Sequence, residues 1–200
     1  MNIGIIGSGG REHSLCEKLS ESKYVKKIFC FPGNAGTSSI ATNVSVDFLN
    51  FKKLFKLIKF FKVELVIVGP EDPLVRGVAD YLRKRKIKVF GPEKYAAKLE
   101  GSKAFMKKIC FANKIPTANF KICNNLNQVK IFLKNSTFPV VVKADGLAAG
   151  KGVSICINHK QVINKTSEIF NGKFQSSKKV ILEEFLDGEE ASYFLIVDNN

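Results

Sequence analysis

Residues 138 to 153 read FPVVVKADGLAAGKGV, and the layout of the whole chain follows from how that stretch is read. Val140 to Val142 make a β-branched run ending on Lys143, a turn holds Asp145, Gly146, Gly150, Lys151 and Gly152, and Val153 to Ile157 resume as a second run. Runs of Val and Ile predict the two strands of a hairpin. Glycines between them let the backbone approach a ligand and aim N–H groups at an anion. Two lysines beside such a loop suit a polyphosphate. A P-loop needs four residues between its glycine and the Gly-Lys pair, followed by Ser or Thr; here three separate Gly146 from Gly150-Lys151, and Gly152 comes next. The loop is not of that kind. A bare hairpin tip with solvated lysines would have the same sequence, so the residues alone leave both readings open.

Outward from the hairpin, Asn119 to Cys123 predicts a strand, about Leu126 to Lys134 a helix, and His159 to Phe170 another. Val180 to Glu183 predicts a strand, Glu184 to Glu190 interrupt it, and Ala191 to Val197 resume as one. The last residues, Asp198-Asn199-Asn200, come straight after that strand. A sheet left open there carries the expectation that a larger protein has been cut.

Toward the N-terminus, Asn2 to Ile6 is a short apolar strand that meets Gly7-Ser8-Gly9-Gly10 before Arg11 to Ser22 take helical spacing, with Leu15 and Leu19 on one face. Such a strand, turn and helix unit offers unpaired N–H groups to a phosphate. It is not a dinucleotide fingerprint, because the third glycine would fall at Glu12 and no acid follows the second strand, Val25 to Phe31. Helix capping and surface charge explain Arg11, Glu12 and His13 equally well at this level. The second strand breaks at PGNAGT, residues 32 to 37. Asp47 is expected to cap the next helix, whose Phe51, Leu54, Phe55, Ile58 and Phe61 form one stripe against lysines. That amphipathic pattern also suits a membrane surface, although between two strands it reads as a crossover helix. Glu64 to Val68 is a strand opening into a stiff loop, GPEDPL, residues 69 to 74. A helix from Val78 to Lys86 and a strand from Lys88 to Phe90 complete a βαβαβαβ pattern, an open parallel sheet. The pattern changes after residue 92, and two helical pieces around Gly101-Ser102-Lys103 lead to Ile115-Pro116.

Two hundred residues, 45% hydrophobic, make a folded chain of one or two domains. No apolar run reaches a membrane span, and glycine interrupts the N-terminal apolar segment too early for a signal peptide, so a cytoplasmic location and no membrane partner are expected. Cys16, Cys30, Cys110, Cys123 and Cys156 form no CxxC pair, which indicates buried thiols rather than zinc or disulfides. His13 and His159 are too few for a metal site. The formal charge is +14, yet only four of the 32 cationic residues are arginine, and the lysines are spread over the whole length. Base-reading surfaces favour arginine and aromatic platforms, so no nucleic-acid partner is expected.

Taken together, GSGGREH (7 to 13), PGNAGT (32 to 37), GPEDPL (69 to 74), LEGSKAFMK (99 to 107), VVKADGLAAGKGV (141 to 153) and EEFLDGEEAS (183 to 192) resemble the glycinamide ribonucleotide synthetases, the phosphoribosylamine-glycine ligases of purine biosynthesis. The resemblance covers the whole chain in motif order. It implies an α/β fold: an open parallel-sheet N-terminal domain at 1 to 92, a helical linker at 93 to 118, and the first part of an ATP-grasp domain at 119 to 200, truncated. It implies ATP and Mg2+ as cofactors, with phosphoribosylamine and glycine as substrates. By matching motifs, Lys143, Lys151 and Lys103 would face the ATP phosphates, and the loop from Gly146 through Gly150 to Gly152 would close over them. Lys143 and Lys151 would be catalytic. Glu183, Glu184, Phe185 and Leu186 would be the hinge whose backbone reads adenine, and Glu190 would accept the ribose hydroxyls. Gly9, Gly10, Glu12, His13, Asn34, Gly36, Glu71 and Asp145 would serve phosphoribosylamine. The metal ligands of the family lie beyond residue 200, so this chain is expected to be about half of an intact enzyme and not to turn over alone. Rival readings are another ATP-grasp carbon-nitrogen ligase and a non-catalytic nucleotide-binding module.

Overall fold

The computed structural model describes residues 1 to 148, 150 to 174 and 177 to 196. The chain separates into two compact units, Met1–Met106 and Lys107–Asn200.

The first unit is built on β1 (Asn2–Gly7), which pairs in parallel with β2 (Lys27–Pro32) on one side and β4 (Leu65–Val68) on the other. A two-residue strand, β3 (Thr42–Asn43), and β5 (Lys88–Phe90) complete the order β3-β2-β1-β4-β5. Period-2 alternation divides the side chains between two faces. Ile3, Ile5, Ile28, Cys30 and Ile67 pack with Leu15, Cys16 and Leu19 of α1 (Gly10–Ser20). Ile6, Phe29, Phe31, Val66 and Val68 pack with Leu54 and Ile58 of α2 (Phe51–Phe60) and Leu82 of α4 (Val78–Arg83). Both faces being covered explains why β1 and β4 read as near-continuous apolar runs. Burial pushes the Cys16 thiol up to about 12, and its sulfur lies 3.2 Å from that of Cys30. Both are buried free thiols, as their scatter in the sequence implies.

Three local expectations are corrected here. Residues 71 to 75 are a helix, α3 (Glu71–Val75), rather than a stiff loop; Pro73 is tolerated because the N–H groups of a first turn have no intrahelical partner. The cap of α2 is Asn50, whose side chain accepts from the Lys53 N–H at 3.1 Å, while Asp47 accepts from the Leu49 N–H one turn earlier. The sheet has a fifth strand, β3, too short to show any periodicity.

Two helices, α5 (Lys94–Gly101) and α6 (Lys103–Ala112), follow. The second unit then forms an antiparallel sheet, β6-β9-β7-β8, from β6 (Phe120–Cys123), β7 (Val140–Ala144), β8 (Val153–Cys156) and β9 (Val180–Glu184). The expected hairpin is present, with Val140 opposite Cys156 and Lys143 opposite Val153. Val140, Val142, Ala144, Val180 and Leu182 face a core with Val129 and Leu133 of α7 (Leu126–Leu133) and Val162 and Ile169 of α8 (His159–Phe170). By alternation Val141, Lys143, Ile181 and Glu183 lie on the opposite face.

Residues 191 to 196 are not a strand, although their sequence predicts one, and Val197 lies outside the described residues. A strand exists only where a neighbour takes its N–H and C=O groups. Here Tyr193, Phe194 and Ile196 are almost fully exposed, and no strand among the described residues pairs with them.

Candidate functional site

In the first unit, the loops after β1, β2 and β4 lie at one end of the parallel sheet, where such sheets bind ligands and where the strand order reverses about β1. They are fastened to one another. The Gly33 N–H donates to Gly7 O at 3.1 Å, and Asn34 Nδ2 donates to Ser8 O at 3.0 Å and Gly9 O at 3.2 Å. Asn34 Oδ1 accepts from the Thr37 N–H at 2.9 Å, and Thr37 Oγ1 donates to Asn43 Oδ1 at 2.7 Å, so the PGNAGT loop is held by side chains on both flanks. Arg11 reaches Glu71 Oε1 at 3.0 Å, joining the start of α1 to the start of α3. The backbone N–H at Glu71 and the Arg11 guanidinium together hold the Glu71 carboxyl below the usual range.

Glu12 sits beneath this surface. Its Oε2 accepts from the Gly9 N–H at 2.5 Å and so caps the start of α1, while among the described residues its buried Oε1 has no hydrogen-bond partner. The carboxylate fits only because glycine surrounds it: a Cβ on Gly69 would lie 1.9 Å from Glu12 Oε1. Gly69→Ala is therefore expected to displace Glu12, break the cap and destabilise the protein by about 2–3 kcal/mol. Thermal unfolding of the variant checks this, and a wild-type melting curve would contradict the packing. The imidazole of His13 lies as tightly over Gly36, where a Cβ would meet Cε1 at 2.5 Å. Gly9, Gly10, Glu12, His13, Asn34, Gly36 and Glu71 thus occupy one sheet end, whereas Asp145 belongs to the second unit.

In the second unit β7 carries Lys143 to the mouth of the hairpin loop. The Ala144 N–H donates to Gly152 O at 2.8 Å and the Lys151 N–H to Ala148 O at 2.9 Å, which closes the loop at its base. Gly146 and Gly150 have φ of +88° and +75°, conformations that glycine adopts without a Cβ penalty. Lys151 is exposed and Lys143 half-buried. The Asp145 N–H is bonded to Lys179 O at 3.2 Å.

The Lys143 ammonium is 3.0 Å from Glu183 Oε2 across the β7–β9 pair. A second ammonium meets the same oxygen at 2.9 Å: that of Lys107, on α6, whose side chain is only 3% exposed. Lys107 also donates to Thr117 Oγ1 at 2.7 Å and lies 5.5 Å from the centre of the Phe120 ring. Among the described residues, Glu183 Oε1 is buried without a hydrogen-bond partner. Just beyond β9, Phe185 and Leu186 are exposed, and Glu190 lies in an exposed stretch. Glu184 is held below the usual carboxylate range by the Asn119 backbone N–H and side-chain amide. It shares with Glu183 a cleft of about 620 Å³ on the α7 side, lined also by Asn119, Lys121 and Phe132.

Residues 1–100 match the phosphoribosylglycinamide synthetase N domain, and residues 101–200 match the phosphoribosylglycinamide synthetase ATP-grasp (A) domain. The chain belongs to the phosphoribosylglycinamide synthetase family. It is 43% identical over 199 residues to the phosphoribosylamine-glycine ligase of Brucella melitensis, covering 99% of this chain and 47% of that protein. The ligase of Haemophilus influenzae is 44% identical over 202 residues, with the same coverage. The crystal structure of phosphoribosylamine-glycine ligase from Thermotoga maritima superposes with a TM-score of 0.77 at 32% identity, over 94% of this chain and 45% of that one. The chain spans about half the length of the curated relatives it matches.

This family membership bears out the resemblance carried by the six motifs. Sequence reasoning missed Lys107 and Thr117. A signal was available, because Lys107 falls three residues after Ala104 on the buried side of α6, a position where an unpaired lysine does not belong. It was hidden among many other lysines.

Proposed function

We propose that this chain supplies the ribosyl-substrate and nucleotide sites of a phosphoribosylamine-glycine ligase, which joins glycine to 5-phosphoribosylamine and converts ATP to ADP and phosphate. The observation that carries the reading is Lys143, set at a strand end beside the glycine loop and steadied by buried Glu183. Lys143, Lys151 and the N–H groups of Gly150 and Gly152 face the phosphates. Positive charge placed where charge moves onto the leaving ADP lowers the barrier without reorganisation. Glu183 Oε1, a buried acceptor without a donor among the described residues, fits the amino group of adenine, and the backbone from Glu183 to Leu186 reads the base edge. Glu190 accepts the ribose hydroxyls.

In the reaction, a glycine carboxylate oxygen attacks the γ-phosphorus and ADP leaves, giving glycyl phosphate. The amine of phosphoribosylamine then attacks the acyl carbon, phosphate leaves, and the amine loses a proton. The acyl phosphate must be kept from water, which the loop helps to exclude. Mg2+ would accompany ATP, but among the described residues no group of three or more His, Cys, Asp or Glu side chains is placed to hold a metal ion. The contribution of these residues is lysine charge and main-chain amides.

Gly9, Gly10, Glu12, His13, Asn34, Gly36 and Glu71, at one sheet end of the first unit, take the ribosyl substrate. Glu71→Gln is expected to raise KM for phosphoribosylamine about tenfold while changing KM for ATP less than twofold, roughly the loss of one charged hydrogen bond. Equal effects on both would contradict the division of sites. The Arg11–Glu71 pair also gives a pH signature. Because the folded Glu71 carboxyl is depressed, its stabilisation is present above the ordinary carboxylate range and is lost as the pH falls through the lowered value. Exposed on both sides, the pair contributes at most about 1 kcal/mol.

Calorimetry with MgATP on this chain, beside phosphate release by a polypeptide of the relatives' length, tests the proposal. Heat of binding together with turnover that requires both phosphoribosylamine and glycine is expected. Turnover with a different amine would point to another carbon-nitrogen ligase, and binding without turnover at full length would point to a nucleotide-binding module. Among the described residues no helix is long and apolar enough to cross a membrane.

A further inference from the structure

Two ammonium groups converge on one oxygen of Glu183, and they are not equivalent. Lys107 is buried, 3% exposed, and anchored a second time by Thr117 Oγ1 at 2.7 Å and a third by Ala118 O at 3.4 Å. Lys143 is 28% exposed, stands on the strand that leads into the glycine loop, and donates its side-chain hydrogen bond to Glu183. One partner is fixed and the other is free to turn. A carboxylate buried with a single cation holds it tightly, because parting them leaves an uncompensated charge away from water. A carboxylate already paired with a fixed cation loses much less when a second one departs.

The geometry points to Lys107 as a positioning residue that neutralises Glu183 permanently, so that Lys143 is oriented by the carboxylate yet released from it when a polyphosphate arrives. Glu183 acts as a rest for Lys143 and Lys107 keeps that rest shallow. The cluster carries one net positive charge without nucleotide, and after Lys143 turns to the phosphates the buried remainder, Lys107 with Glu183, is neutral. No bond is made or broken in this step; only the partner of Lys143 changes. The polyphosphate part rests on the ATP reading above, whereas the sharing of Glu183 does not.

The test therefore has two arms. In the first, without nucleotide, the native chain is acetylated with acetic anhydride and the rate at Lys143 is followed by mass spectrometry. In Lys107→Met, Lys143 becomes the one cation paired with Glu183 among the described residues, and its labelling is expected to slow roughly threefold or more. In the double variant Lys107→Met with Glu183→Gln it is expected to exceed the wild-type rate. In the second arm, calorimetry should show MgATP binding weakened about tenfold or more in Lys107→Met. A role confined to stability would not make the Lys143 labelling rate move in opposite directions in the two variants. If Lys107→Met does not fold but the double variant does, Lys143 is shown unable to compensate Glu183 alone, which supports the inference. Unchanged labelling in a folded Lys107→Met, or failure of both variants to fold, overturns it. If labelling responds as stated and MgATP binds neither wild type nor variants, the sharing of Glu183 stands and the nucleotide reading is what fails.

Discussion

Replacing Lys143 by alanine is expected to lower ATP-dependent phosphate release about 10²–10³-fold in a polypeptide of the relatives' length, the usual cost of deleting one preorganised charge from a transition state. The structure adds that the fold should survive. With Lys143 gone, Glu183 keeps Lys107 at 2.9 Å, and the six-residue run of β1 lies in the other unit. Loss of turnover with an unchanged circular dichroism spectrum and melting temperature is therefore the signature. Phosphate release within a few-fold of wild type would remove Lys143 from the phosphates and with it the central assignment.

Glu183→Ala has the opposite character. It strands two cations at once, and one of them, Lys107, cannot reach water from its present position. Removing one member of a buried pair costs about 3–5 kcal/mol, because the charge left behind is uncompensated. Amide hydrogen exchange locates the damage: residues of β7 and β9, which share the ladder running through Val141 and Glu183, should exchange faster, while those of β1, β2 and β4 keep their wild-type protection. Uniform protection in all five strands would mean that the ion cluster is not structural. The contrast between the two substitutions follows from which partner is buried.

Much of this architecture is legible in the sequence because its determinants are local. The hairpin of β7 and β8 follows from a β-branched run, glycines and a second β-branched run, and α8 begins at His159 and ends at Phe170, as its spacing predicts. The strands β1 and β4 announce their double burial by continuous apolar character. What could not be read is non-local or depends on pairing. The strand β3 has two residues and exists through Phe29↔Thr42 and Cys30↔Asn43. The segment 191 to 196 has the composition of a strand but no ladder among the described residues. Prolines flanking Glu71 and Asp72 look like loop formers, yet each stands where a helix start tolerates it. The triad Lys107–Glu183–Lys143 joins residues up to 76 positions apart, and no period or motif in a single sequence records such a contact. The motifs nominate the candidate site residues, and the side-chain packing shows which of them are held by neighbours.

The braced loops of the first unit set the manner in which a ligand is received there. Ordering a loose backbone costs roughly 1–2 kcal/mol per residue, and a sugar phosphate settling on slack loops would bear that cost out of its own affinity. At this sheet end Asn34, Thr37, Asn43 and the Arg11–Glu71 pair have already settled the chain by bonds between protein atoms. If the proposed sugar phosphate is taken up there, its capture would wait on encounter rather than on rearrangement, with the pace set by diffusion and by the pull of a strongly cationic chain on an anion.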